Sequence, residues 1–258
     1  MAIVLAVGCR FMRTLKLTLA YDGTDCVGWQ RQAEGVSIQG SLEDALAAFE
    51  GAPVTVHGAG RTDAGVHALG QVASVALTAS HSTETLQRAL NAVLPAAVRV
   101  LEVVEEAADF HARFTAVSKV YEYRIVNAPF ISPFLYRYAW HVPMPLSLAA
   151  MAEAASILTG THDFAAFQGT GSPVGTTTRT IHRIDWEPGE GPARPLVVRF
   201  EGNGFLRHMV RNIVGTLVDV GVGRRAPAGI STILASRDRA RAGPTAPAAG
   251  LFLVAVLY

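Results

Sequence analysis

Gly58-Ala59-Gly60-Arg61-Thr62-Asp63-Ala64-Gly65-Val66-His67 lies between two short runs, 54–57 and 71–77, that read as strands. One carboxylate, Asp63, stands among glycines, alanines and a single arginine. The small residues let backbone or ligand approach closely. Arg61, two residues upstream, can hold Asp63 ionised or hold an anionic substrate beside it, which is what a carboxylate nucleophile needs. A Gly/Asp-rich segment between strands is also the ordinary composition of a turn. Three sharper readings fail on spacing. A P-loop needs Gly-Lys-Ser/Thr at its end, and Gly65 is followed by Val66-His67. A dinucleotide fingerprint needs glycine where Asp63 stands. His57, His67 and Asp63 lack a ligand spacing for metal.

The elements on either side of the loop set the fold. Residues 14–21 alternate Leu15, Leu17, Leu19 and Tyr21 on one face, a half-buried strand. Ser37 can cap a helix to Glu50, with Gly51 as its stop. Thr83 opens a second helix that ends by Pro95, and 98–104 is a further strand. The order is βαββαβ, a ferredoxin-like split unit. The second half repeats it. Residues 117–126 form a strand, extended near 138–142. An alanine-rich helix follows at 146–158, then strands at 178–187 and 196–201. A long amphipathic helix at 205–220, a shorter one at 229–235 and a strand at 251–257 complete it. The expected class is α+β, with two ferredoxin-like units forming an extended mixed sheet flanked by helices around a cleft. The expected boundaries are an N-terminal extension at 1–12, a loop-bearing domain at 13–114 and a second domain at 115–258. Residues 168–178, rich in Gly, Ser and Thr, read as a mobile loop, and 237–249 as loop-like.

Composition limits the function classes. Half of the 258 residues are hydrophobic and 17% are charged, which excludes global disorder. Cys9 and Cys26 form no C-x-x-C pair, which argues for a reducing compartment and against zinc or a disulfide framework. No apolar run reaches the ~18 residues of a membrane span. Residues 1–11 lack the basic start of a secretory signal and are expected to be an extension. The formal net charge is only +1, but 205–241 holds seven arginines (207, 211, 224, 225, 237, 239 and 241) against Asp219 and Asp238. Such a local basic face can track phosphates, or it can be a set of solvated arginines.

Further motifs accompany the loop. They are Tyr21-Asp22-Gly23-Thr24 with Gly28-Trp29-Gln30-Arg31-Gln32, Asp109-Phe110-His111-Ala112-Arg113-Phe114, His208-Met209-Val210-Arg211-Asn212-Ile213-Val214-Gly215, and Gly250-Leu251-Phe252-Leu253-Val254-Ala255-Val256. With the loop read through Val72, they resemble the tRNA pseudouridine synthase A family, in that family's order and over nearly the whole chain. Val27 before Gly28-Trp29 is a minor departure.

The resemblance implies isomerisation of uridine to pseudouridine in the anticodon arm of tRNA, at positions 38, 39 and 40. That reaction breaks N1–C1′, turns the uracil and bonds C5 to C1′. It exchanges no electrons and no external group, so no cofactor and no metal are expected. By resemblance Asp63 is the catalytic aspartate, whether through C6, C1′ or a glycal route. A base taken out of its stack needs an aromatic partner, worth about 1–3 kcal/mol. Tyr121 and Tyr123 share a strand face, and the resemblance selects Tyr121. Arg207 and Arg211 are expected one helical turn apart on one face, with Arg211 paired to Asp63. Arg61 is expected at the flipped base or its phosphate. Leu251 is expected to line the uracil pocket, and an ordinary core leucine reads almost as well. Phe110, His111, Arg113 and Phe114 interleave aromatic and basic groups; a strand-end apolar pair is the plainer reading, and the resemblance favours RNA contact. The implied partners are tRNA and a second copy of the chain, with no membrane, in the cytoplasm. The competing class is a non-catalytic RNA-binding protein of ferredoxin-like fold. It has no use for a carboxylate beside phosphates, and the RNP pattern is absent.

Overall fold

The computed structural model describes residues 12–171 and 174–258, so the extension expected at 1–11 lies outside the described residues. Strand β1, Arg13–Tyr21, buries Leu15, Leu17, Leu19 and Tyr21 as its alternation requires. Helix α1, Ile38–Glu50, is capped by Ser37, whose hydroxyl accepts the Gly40 N–H at 3.2 Å, and ends at Gly51 with φ 74°. Strands β2, His57–Gly58, and β3, His67–Leu77, enclose the signature loop. Helix α2, Thr83–Val93, and strand β4, Val98–Glu106, follow. β1 pairs antiparallel with β3 and β4, and β2 pairs antiparallel with β3. This is the ferredoxin-like arrangement, with its second strand reduced to a stub: 54–56 do not join the sheet.

The second half contains β5, Ser118–Val126; β6, Trp140–His141; α3, Leu148–Ser156; and β7, Gly160–Asp163. It continues with β8, Thr178–Glu187; β9, Leu196–Gly202; α4, Met209–Gly221; α5, Gly229–Ser236; and β10, Leu251–Leu257. The sheet runs β4-β1-β3-β10-β5-β9-β8-β7. The segment β10-β5-β9-β8 is again all antiparallel, so the second half repeats the first. The halves meet where β10 runs parallel to β3, with Phe252 opposite His67 and Leu253 opposite Ala68. One hydrophobic cluster extends through both halves, from Leu15 to Leu253.

Two expectations for the 205–220 region are corrected. The helix begins at Met209, because His208 takes a left-handed φ of 60° and turns the chain there. It is also not amphipathic. Every residue of α4 is buried except Arg211. The sheet does not cover it alone: Pro244 closes on Gly215, and Met151 of α3 packs at Gly221. Strand β7, at the sheet edge, has no counterpart in the expected elements.

Candidate active site

The loop is held from below by the first strand and by the 22–30 segment. Its Ala59 N–H donates to the Val72 carbonyl at 2.8 Å, and the Gly60 carbonyl accepts from Gln71 Nε2 at 2.8 Å. The Thr62 and Tyr21 hydroxyls share a 2.8 Å hydrogen bond, and the Thr62 carbonyl accepts the Trp29 N–H at 2.9 Å. Burial pushes the Tyr21 phenol up to about 12, so it stays neutral in this buried network. Gly65, at φ 77°, closes a turn in which the Val66 N–H donates to the Asp63 carbonyl at 3.1 Å. The Gly28-Trp29 motif is therefore a brace for the loop. A Cβ on Gly58 would stand 2.4 Å from the Trp29 indole.

Asp63 projects from this loop toward the start of α4. Its Oδ2 lies 3.3 Å from Arg211 Nη1 and 3.4 Å from His208 Nε2. Both contacts are longer than the roughly 2.7–2.9 Å of a tight charge-assisted bond. The carboxylate is 28% exposed, so it faces two positive or polar groups while staying open to a ligand. Arg211 is fixed by its Nε, which donates to the Ala246 carbonyl at 2.8 Å. The His208 imidazole is held below its ordinary 6.5, first by burial and then by Arg211, Arg207 and Arg239, with Asp63 opposing.

Arg207 does not share a helical face with Arg211. It precedes the left-handed turn at His208, is exposed, and donates from Nη1 to the Thr170 carbonyl at 2.9 Å. The seven arginines of 205–241 do not form one free basic face either. Arg224 and Arg225 meet Asp219, Arg237 meets Asp163, and Arg239 donates to Asn212 Oδ1.

The structure separates the two tyrosines of β5. Tyr123 is fully buried and donates to the Pro247 carbonyl at 2.7 Å. Tyr121 packs edge-on against Phe205 at 5.1 Å, and a Cβ on Gly60 would lie 3.7 Å from its hydroxyl. Burial, with smaller contributions from Tyr21 and Asp63, pushes its phenol well above the ordinary 10.0. Leu251 is buried at the start of β10 opposite Tyr123, the position of a core leucine.

Arg61 is exposed and has no ion pair among the described residues. The His111 ring lies 4.9 Å from His57 and 4.4 Å from Phe114, and Arg113 lies over Phe114 at 5.6 Å. Phe114 is 76% exposed. Because His57 belongs to β2, this surface stack adjoins the loop. Phe110 behaves differently: it is half-buried, packs on Tyr258 at 5.1 Å and joins a small apolar cluster with Ala59, Val72 and Ala112.

Two residues at the site carried no assignment from sequence. Lys119 shares a face of β5 with Tyr121, and its Cε would lie 3.8 Å from a Cβ on Gly60. Burial, then Arg113 and Arg179, lower its pKa, and it has no carboxylate partner among the described residues. A lysine two residues before Tyr121 was the available signal. His208 is the second. Its left-handed backbone leaves no mark in a sequence pattern.

The chain is also similar in sequence to known proteins. A family model described as tRNA pseudouridine synthase matches residues 18–115 and 154–258. A tRNA pseudouridine synthase A of Solidesulfovibrio magneticus is 48% identical over 252 residues, covering 96% of this chain and 92% of that protein. The one from Moorella thermoacetica is 47% identical, covering 96% and 100%. That of Syntrophotalea carbinolica is 44% identical, covering 96% and 97%.

Proposed function

The chain belongs to the tRNA pseudouridine synthase family, and from that premise we propose that it isomerises uridines 38, 39 and 40 in the anticodon arm, with Asp63 as its nucleophile. It is an isomerase acting on tRNA. The observation that carries the residue assignment is the Asp63 carboxylate. It stands on a braced loop, 3.3 Å from the guanidinium of the one α4 residue that is not buried.

The target uracil has to leave its stack, and Tyr121, buried beside the loop, is the aromatic ring proposed to receive it. Asp63 supplies the electron pair that assists N1–C1′ cleavage. The Arg211 guanidinium balances the carboxylate. Lys119, Arg61, Arg113 and Arg207 are cations without carboxylate partners among the described residues, and they suit the phosphates flanking the flipped nucleotide. His111 and Phe114 offer stacking faces at the surface, while Phe110 and Leu251 act from the apolar side. The same reading includes a division of the chain at 114/115, a homodimer and a cytoplasmic setting.

The test is single-turnover conversion of a tRNA with uridines at 38–40, followed by mapping of pseudouridine. Wild type is expected to modify those positions. Asp63→Asn and Asp63→Ala are expected to abolish conversion while holding tRNA affinity within a few fold, because phosphate contacts carry most of the affinity. Turnover by Asp63→Ala above the uncatalysed background removes Asp63 from the chemistry.

A further inference from the structure

The isomerisation has a proton balance of its own. Once C5 has bonded to C1′, C5 still carries its hydrogen and N1 lacks one. The C5–H electron pair must return to the ring to restore C5=C6, and N1 must take a proton. One proton therefore leaves C5 and one arrives at N1, with no change in net charge. A group that both accepts and releases a proton near neutral pH has to reach the base. Asp63 has its part in the cleavage of N1–C1′, and a guanidinium such as Arg211 has no acceptor site. The Tyr121 phenol is held in its protonated form by burial, so it is a weak acceptor.

His208 remains. Its Nε2 is 3.4 Å from Asp63 Oδ2, so a uracil poised at Asp63 lies within its reach. The backbone holds it there at a cost: His208 and Arg237 are the only non-glycine residues with positive φ among the described residues. Across from it, Gly169 leaves room for the ring, since a Cβ there would stand 2.6 Å from Nδ1. We propose that His208 is a catalytic residue of this reaction, its Nε2 taking the proton from C5 and returning one to N1; the proposal rests on the assignment of Asp63 above. The charged groups facing the ring are Asp63, Arg211, Arg207 and Arg239. Burial and the three arginines, against Asp63, favour the neutral imidazole, the form that accepts a proton.

His208→Gly and His208→Asn both tolerate the left-handed backbone, so the helix start is retained. The measurement is single-turnover conversion of tRNA carrying deuterium at C5 of the target uridine, alongside protiated tRNA. Both variants are expected to lose about 10²- to 10⁴-fold in rate with tRNA affinity kept within a few fold. The C5 isotope effect is expected to rise above that of wild type, and imidazole to restore part of the rate of His208→Gly. In wild type the rate is expected to fall as pH drops below the ordinary histidine range, and in His208→Gly that limb is expected to flatten. Wild-type rates in folded variants overturn the proposal. So does a rate loss with neither isotope effect nor imidazole rescue, which marks His208 as a residue that only orients Asp63. An isotope effect that appears in Lys119→Met and not in the His208 variants assigns the proton to Lys119. A wild-type protein that leaves the tRNA uridines unchanged refutes the parent function instead.

Discussion

Gly28 holds φ at 105°, and a Cβ there would stand 2.7 Å from the Thr62 carbonyl oxygen and 3.1 Å from the Ala64 nitrogen. Both are backbone atoms of the loop that carries Asp63, so nothing soft can yield. Gly28→Ala is expected to cost about 1–3 kcal/mol in urea unfolding. It should also lower the single-turnover rate more than it lowers tRNA affinity, because the displaced atoms flank Asp63. A variant within 0.5 kcal/mol of wild type (the ordinary surface range) with an unchanged rate would show that the brace is not needed. What the sequence revealed about single residues follows from this geometry. Asp63, Tyr121 and Arg211 were named from sequence because their motifs carry the family resemblance, and the structure places Asp63 against Arg211 and Tyr121 near Gly60 of the loop. His208 was not assigned. Its role depends on a backbone angle and on a contact across 145 positions, and neither leaves a local pattern. Arg207 was misplaced for the same reason, since helical spacing was counted through the left-handed turn.

Helix α4 shows the same limit in a larger unit. Its apolar residues suggested one wet face and one dry face, yet it is buried all round with only Arg211 in partial contact with solvent. The second cover comes from an irregular segment that the sequence presented as a loop. Asn212, fully buried, ties that segment down: its Oδ1 accepts from Arg239 Nη2 at 2.9 Å and from the Thr245 hydroxyl at 2.6 Å, and its Nδ2 donates to the Phe167 carbonyl at 2.8 Å. Gly215 permits the approach, because a Cβ there would meet the Pro244 carbonyl oxygen at 1.7 Å. Gly215→Ala sets two effects against each other. Helix propensity favours alanine by about 1 kcal/mol. Forcing the 244–246 segment outward costs about 1–3 kcal/mol or more, and a clash at 1.7 Å with a carbonyl oxygen belongs at the upper end. Net destabilisation is expected in urea unfolding. The rate should fall too, since Ala246 holds the Arg211 guanidinium. A stabilised Gly215→Ala would mean that the segment is not packed on the helix. Strands with strict alternation, β1 above all, were read correctly. Strand β7 was missed because Gly160-Thr161-His162-Asp163 has no apolar alternation, and β2 was read too long because Val54 and Val56 are apolar without pairing in the sheet.

The repeat of βαββαβ was legible along the chain, but the joining of its two copies was not. Periodicity assigns faces and says nothing about which strand edges meet. The junction is short, two residue pairs between β3 and β10, and His67 sits on it. Its ring stacks on Phe252 at 4.6 Å, with the Arg124 guanidinium 3.9 Å over the same phenyl ring. Nδ1 accepts the Gly23 N–H at 3.1 Å and Nε2 donates to the Arg137 carbonyl at 3.1 Å, the pattern of a neutral ring. Asp22 Oδ1 also lies 3.1 Å from Nδ1, a contact that would become an ion pair only on protonation. Burial outweighs Asp22 and lowers the His67 pKa below its ordinary 6.5. The unfolded chain therefore takes up this proton first. The stability contributed by neutral His67 is complete above the unfolded value and is lost as pH falls below it. Protonation also removes the acceptor of the Gly23 N–H and adds a second cation near Arg124. His67→Gln cannot titrate but keeps hydrogen-bonding capacity. The expected result is a wild-type Tm that falls more steeply than that of His67→Gln between about pH 7 and 5. His208 is retained in both proteins, so its own titration cancels from the difference. Parallel Tm–pH curves would exclude His67 as the acid-labile point of the junction and place the loss of stability elsewhere in the sheet.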